Sequence, residues 1–156
     1  PEWSKIKPKK TGVLNDGFFS IESKDRNKNY GFLFEGKIDV PKDGEYEFYL
    51  DSDDGSELRV GGMGVALNDG LHGMVRKQGM IKLKKGRVEI KLGYFQKEGG
   101  EGLYVGWKGP GFGEQALTKV KPKEKRKPLQ SLEDLRKAAR YTENTALSQL
   151  RTVHPF

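Results

Sequence analysis

The sequence predicts an all-β protein: an antiparallel β-sandwich followed by a short helical tail. Three observations carry this expectation. Apolar and polar residues alternate in short runs between Tyr30 and Trp107, the period of strands with one buried face. Turn-forming clusters separate those runs, with Pro presetting φ and Gly free to adopt positive φ. Helical spacing of apolar residues is confined to the stretch after residue 130.

Taken in order, residues 1–29 are polar and rich in Lys, with a short strand expected over Gly17–Ile21. Tyr30–Val40 reads as a strand with Phe32 and Phe34 on one face. After the Pro41-Lys42-Asp43-Gly44 turn, Tyr46, Phe48 and Leu50 share one side of a strand, opposite Glu45, Glu47 and Tyr49. Asp53-Asp54-Gly55-Ser56 is a turn into a strand at Glu57–Val60, which Gly61-Gly62 and Gly64 interrupt before Val65–Leu67. Met74–Leu83 and Arg87–Phe95, joined by Lys84-Lys85-Gly86, read as a hairpin. A flexible loop at Gln96–Gly102 leads to a closing strand, Leu103–Trp107, which places Trp107 on the core face with Leu103 and Val105. Ser131 and Asp134 resemble a capping box, and Leu132, Leu135 and Ala139 follow helical spacing over 131–150. The expected organisation is an arm at 1–16, a sandwich at 17–118, a basic linker at 119–130, and a helical tail or the start of a neighbouring segment at 131–156.

A chain of 156 residues with 34% hydrophobic content supports one core and leaves several dozen residues outside it. The net charge is +7, but its distribution argues against nucleic-acid binding. The charge is +3 over residues 1–10, +5 over 119–128 and +1 over 129–156, while residues 11–118 carry −2. The basic excess therefore sits in tails, where a Pro-containing charged run is a solvated linker. No apolar run of ~18 residues is present, so no membrane-spanning helix is expected. The chain opens Pro-Glu-Trp, as a processed form or a segment of a longer protein would. There is no cysteine, hence no disulfide or thiolate chemistry.

The acidic turns carry the candidate chemistry. Adjacent carboxylates at Asp53 and Asp54 concentrate negative charge where a hard cation is bound by oxygen ligands. The alternative is a tight turn whose carboxylates accept backbone N–H groups. Asn68-Asp69-Gly70 is a second such turn, either adding oxygen ligands beside the first or simply connecting strands. His72 and His154 are the only histidines, and their separation gives no zinc spacing. His72 is expected to be a loop hydrogen-bonder. Trp3 docks on the sandwich or on a neighbouring domain, and Tyr49 and Tyr104 are the surface-aromatic candidates. The sequence lacks a phosphate loop, a nucleophile elbow and a Cys/His pair, so an enzyme is not expected.

Four blocks stand in order at compatible spacing: Y-E-F-Y-L-D-S-D-D-G-S-E-L-R-V, N-D-G-L-H-G, K-L-K-K-G-R-V-E-I-K-L-G-Y-F and L-Y-V-G-W. Together they resemble the PA-fourteen domain, the module of anthrax protective antigen shared with yeast flocculation adhesins and bacterial glycosidases. The likeness covers roughly residues 17–118. It implies a β-sandwich, usually extracellular, whose most discussed role is carbohydrate binding. In sugar-binding members two adjacent aspartates, joined by a cis peptide, hold a calcium ion that coordinates sugar hydroxyls. Asp53 and Asp54 match those positions. Those members take a further ligand from an Asn after the tyrosine of the penultimate strand, where this chain has Gln96 after Tyr94-Phe95. Gln keeps a carbonyl oxygen on a longer stem.

The resulting expectation is a non-catalytic carbohydrate-binding module, calcium-dependent, from a larger extracellular, cell-surface or periplasmic protein. Its metal residues would be Asp53, Asp54 and Gln96. Its ligand-binding residues would be Asn68, Asp69, Glu98, Glu101 and Tyr104. The alternative is a structural or protein-interaction module that positions neighbouring domains. Without metal, removing one of the crowded carboxylates, as in Asp54→Asn, is expected to be neutral or mildly stabilising.

Overall fold

The computed structural model describes residues 1–14 and 19–117, together with the backbone of 149–153. Among these residues a 3-10 turn at Trp3–Lys5 precedes ten strands. They are β1 (Pro8–Val13), β2 (Tyr30–Val40), β3 (Gly44–Asp53), β4 (Ser56–Val60), β5 (Met63–Asn68), β6 (Val75–Leu83), β7 (Gly86–Gln96), β8 (Gly102–Gly109), β9 (Phe112–Ala116) and β10 (Gln149–Val153). They form two antiparallel sheets, ordered β1-β10-β2-β7-β4-β5 and β6-β3-β8-β9.

The alternation read from the sequence sets the core. Tyr30, Phe32 and Phe34 of β2 and Tyr46, Phe48 and Leu50 of β3 are fully buried. Leu58 and Val60 of β4, and Ile90, Leu92 and Tyr94 of β7, meet them between the sheets. Trp107 lies in this core, its ring stacked on Tyr46 at 5.5 Å and tilted against Phe112 at 5.2 Å. Burying each such large apolar side chain contributes ~1.5–3 kcal/mol. Gly61 and Gly62 both take positive φ, 58° and 80°, and turn β4 tightly into β5.

Several elements differ from the sequence expectation. β6 and β7 do not pair with each other: β6 pairs with β3 in one sheet and β7 with β2 and β4 in the other. The Lys84-Lys85-Gly86 turn therefore crosses between sheets, with the Lys85 N–H donated to Asp43 Oδ1 at 2.7 Å. A Gly-containing turn marks a reversal without saying whether the flanking strands stay in one sheet. Past Gly109, β9 adds an edge strand beside β8, and the arm at 1–16 contains β1. Gln149 and Leu150, expected at the end of a helix, belong to β10 instead. β10 lies between β1 and β2, its Gln149–Val153 register meeting Glu35–Gly31. The bare N–H and C=O groups along β2 supply the reason, since a sheet edge is satisfied by an added strand. The rest of the expected helix and the 119–130 linker lie outside the described residues; of the strand expected over Gly17–Ile21, Phe19–Ile21 are described and form no strand, and the other two positions lie outside the described residues.

Candidate functional site

Three connections gather at one end of the sandwich: the β3–β4 turn, the β5–β6 loop and the β7–β8 loop. The strand registers bring them together. Asp53 pairs with Gly102, Ser56 with Asn68 and with Tyr94, and Gln96 with Tyr30. The Asp53-Asp54 peptide is cis, as the family resemblance implies.

Asp54 is buried and accepts backbone N–H groups from both flanking loops. Oδ1 accepts from His72 at 3.1 Å and Oδ2 from Lys97 at 2.8 Å. The Asp54 N–H is itself donated to Gln96 Oε1 at 2.8 Å, and Gln96 Nε2 donates to the Gly100 carbonyl at 2.6 Å. The Tyr94 hydroxyl donates to the Asp53 carbonyl at 2.6 Å. Burial, and then contact with the Tyr30 hydroxyl, holds the Tyr94 phenol far above its ordinary range, so it remains a donor.

The Asp53 carboxylate is held differently. No hydrogen-bond donor among the described residues reaches it. Burial first, then the neighbouring Asp54 charge, raises its carboxyl above the ordinary aspartate value. A Cβ added at Gly100 would lie 2.9 Å from Asp53 Oδ2, so the glycine leaves this oxygen its space. Among the described residues no group of three or more His, Cys, Asp or Glu side chains assembles as a metal cage.

The other expected site residues divide. Asn68 is buried, with Nδ2 donating to Ser52 Oγ at 3.0 Å and the Val75 carbonyl at 2.7 Å, which ties the β5–β6 loop to β3. Asp69 accepts its neighbour's N–H from Gly70 at 2.9 Å, a local turn bond on an exposed loop. His72 is a loop hydrogen-bonder, Nε2 meeting the Asn68 carbonyl at 3.2 Å. Glu98 is exposed in the β7–β8 loop. Glu101 accepts the Tyr30 hydroxyl at 2.6 Å and pairs with Lys24.

Tyr104 faces the outer side of the β6-β3-β8-β9 sheet with Arg76, whose guanidinium lies 5.8 Å from its ring centre and 4.8 Å from that of Tyr49. Tyr49 points outward as expected but is only 7% exposed, because Arg76 covers it. Arg76 in turn donates to both Asp51 oxygens at 2.7 and 2.9 Å and pairs with Glu114.

Sequence reasoning did not single out Ser52, Ser56, Tyr94 or Gly100 as parts of the site. Ser52 and Ser56 share a buried 2.6 Å hydroxyl contact beneath the turn. Their signal was available: polar residues at inward positions of strands that are otherwise apolar there.

This geometry can be set beside known proteins. A model of the PA14 domain matches residues 6–121. The chain belongs to the PA14 domain family. Among solved structures, this PA14 domain resembles the PA14 sugar-binding domain of an RTX adhesin at 18% identity and a TM-score of 0.54, over 72% of this chain and 73% of that one. It resembles the PA14 domain of the antifreeze protein MpAFP at 19% identity and a TM-score of 0.53, over 61% of this chain and 53% of that one. An anti-sigma factor domain-containing protein from Clostridium clariflavum aligns at 24% identity and a TM-score of 0.59, over 70% of this chain and 40% of that one. At these identities the likeness is one of fold. The PA14 domain thus spans about half the antifreeze structure and two fifths of the clostridial one. No match is found among curated proteins. No helix among the described residues is long and apolar enough to cross a membrane.

Proposed function

We propose that this PA14 domain is a non-catalytic carbohydrate-binding module of a larger extracytoplasmic protein, and that its site is the Asp53-Asp54 turn with calcium bound. The observation that carries the reading is the Asp53 carboxylate. It stands beside a second carboxylate, without a hydrogen-bond donor among the described residues, at the loop end of the sandwich. An adjacent pair in which one member lacks compensation suits a cation. Asp54 fits the same role, because each of its oxygens accepts one backbone N–H and keeps a second lone pair. Calcium would supply a hard centre for oxygen ligands.

The Asp53 and Asp54 side chains would hold the ion, and the balance of six to eight oxygens would come from backbone carbonyls, water and a sugar diol. No third Asp, Glu or His joins the pair as a metal group among the described residues, which suits coordination shared with a ligand. Gln96 acts here as a positioning residue, since its carbonyl oxygen fixes the Asp54 peptide. The adhesin domain's sugar binding supports the reading by family membership.

Calorimetry against a broad saccharide panel tests it. Saturable binding is expected for at least one saccharide in calcium and its loss in chelator. Silence across the panel in calcium would remove the reading.

A further inference from the structure

The sequence carries four Asp-Gly pairs: Asp16-Gly17, Asp43-Gly44, Asp54-Gly55 and Asp69-Gly70. An aspartate before glycine has a covalent route that most aspartates lack. The glycine amide nitrogen can close on the side-chain carboxyl carbon, because no Cβ obstructs the approach and the backbone turns freely. Whether a pair follows this route depends on how the fold holds it. Asp16-Gly17 lies outside the described residues, and the other three are held in different ways.

Two of them are locked. Asp43 Oδ1 accepts the Lys85 N–H at 2.7 Å, and Gly44 opens β3, paired with Leu83 and packed against Pro110. Asp54 is buried, and its oxygens accept backbone N–H groups from His72 and Lys97. Gly55 lies under the Phe95 ring, and its carbonyl accepts the Phe95 N–H at 2.9 Å. In both pairs the carboxylate faces another segment, and the glycine cannot turn toward it.

Asp69-Gly70 is open. Both residues are exposed in the β5–β6 loop, outside any strand. Asp69 Oδ1 accepts the N–H of Gly70 itself at 2.9 Å, so the amide nitrogen stands beside the carboxyl that it would attack. Gly70 takes φ 106°, and the nearest atom to a Cβ built there is in the His72 ring at 3.8 Å. A small rotation of the Asp69 side chain brings its carboxyl carbon into line without breaking a contact to another segment.

We propose that Asp69-Gly70 is a site of spontaneous isoaspartate formation. The Gly70 nitrogen bonds to Asp69 Cγ and gives up its proton. The Cγ–O bond breaks, and that oxygen leaves with two protons as water, closing a five-membered succinimide. Water then opens the ring at either carbonyl. Opening at Cγ restores aspartate. Opening at the Asp69 main-chain carbonyl leaves the chain running through the side chain, with a free α-carboxylate. No oxidant, cofactor or enzyme is needed, and the product has the mass of the starting chain.

The conversion adds a methylene to the main chain in a loop that supports the acidic turn. At one side Asn68 is anchored, its Nδ2 donating to Ser52 Oγ and the Val75 carbonyl. At the other, His72 donates its backbone N–H to Asp54 Oδ1 at 3.1 Å and sets Nε2 against the Asn68 carbonyl at 3.2 Å. A longer path from Asn68 to His72 displaces that donor, so the geometry of the turn changes as the protein ages.

The test is a peptide map of the full chain incubated for weeks at neutral pH in chelator. Isoaspartate is located by electron-transfer fragmentation and counted with an isoaspartyl methyltransferase and labelled S-adenosylmethionine. Position 69 is expected to convert about tenfold or more faster than positions 43 and 54, since it alone has the local freedom to react. In urea the three rates are expected to converge. Asp69→Glu, whose ring would need six members, is expected to remove the signal at 69 while keeping the charge. The converted protein, separated by ion exchange, is expected to melt a few degrees below the fresh chain in chelator. No isoaspartate at 69, or equal conversion at 43 or 54 in the folded protein, overturns the site. An unchanged melt of the converted protein overturns its link to the turn.

Discussion

The backbone N–H of Asp54 is donated to Gln96 Oε1 at 2.8 Å, across 42 residues of sequence. This bond joins the acidic turn to the end of β7 and fixes how the two carboxylates are presented. Gln96 is fully buried, and its Nε2 holds the Gly100 carbonyl at the same time. Gln96→Leu would leave a buried donor and a buried acceptor unsatisfied. It is expected to destabilise the domain by about 2–4 kcal/mol in urea denaturation. Calcium affinity is expected to fall with it, because the turn loses its support.

Asp53 gives a pH prediction with a definite sign. Its folded-state pKa is raised, by burial first and by the Asp54 charge second. The folded state therefore holds this proton more tightly than the unfolded chain, and ionised Asp53 opposes folding. Stability contributed by this group falls as pH rises from the ordinary aspartate value of 3.8 through the raised one. Asp53→Asn is expected to stabilise the metal-free protein at neutral pH and to lose that advantage in acid. Parallel melts of both proteins across pH check this. Saturating calcium is expected to reverse the ranking at neutral pH, since only the carboxylate pair binds the ion.

The structure also corrects one expectation about the pair. Asp54→Asn is expected to destabilise the protein in the absence of metal and not to be neutral. Both Asp54 oxygens accept backbone N–H groups, so an amide would set an N–H against the N–H of His72 or Lys97. A loss of about 1–3 kcal/mol is expected in chelator, measured by denaturant midpoint. Asp53→Asn is the cleaner probe of charge.

Arg76 bridges Asp51 and Glu114 and covers Tyr49. Lysine cannot reproduce that planar fork. Arg76→Lys is expected to cost about 1 kcal/mol, because the group is part-exposed and the pairs are screened. Raised salt is expected to narrow the difference in thermal melts.

β10 supplies the only pairing that β1 has among the described residues and covers β2 from Gly31 to Glu35. A chain ending after residue 117 would bare that edge. Concentration-dependent self-association is expected in sedimentation velocity, against a monodisperse full chain.

Much of this fold was legible because burial writes a period of two into the sequence. Tyr46, Phe48 and Leu50 show it in three consecutive inward positions. Which sheet a strand joins was not legible, as β6 and β7 show, because a turn fixes reversal and not partnership. β10 was missed because the helical spacing that starts at Leu132 was carried through to residue 150, while the pairing that places Leu150 in a strand is with residues more than a hundred positions away. At the site, Asp53 and Asp54 were identified from the turn and the resemblance. Gln96 was read as a longer-armed ligand, whereas its oxygen meets the Asp54 peptide. Glu101, expected near the turn through its loop, meets Lys24 and Tyr30, and Tyr104, expected as a surface aromatic, lies beside Arg76 and Glu114.

Calcium bound by the folded turn must raise stability by RT ln(1 + [Ca²⁺]/Kd), about 2.7 kcal/mol at a hundredfold excess over Kd. The decisive measurement is the Tm of chelator-stripped protein, titrated with calcium, beside Asp53→Asn. The account predicts a Tm several degrees higher in saturating calcium for the wild type and little change for the variant. A wild-type Tm indifferent to calcium, in protein shown by elemental analysis to carry no metal, would contradict it.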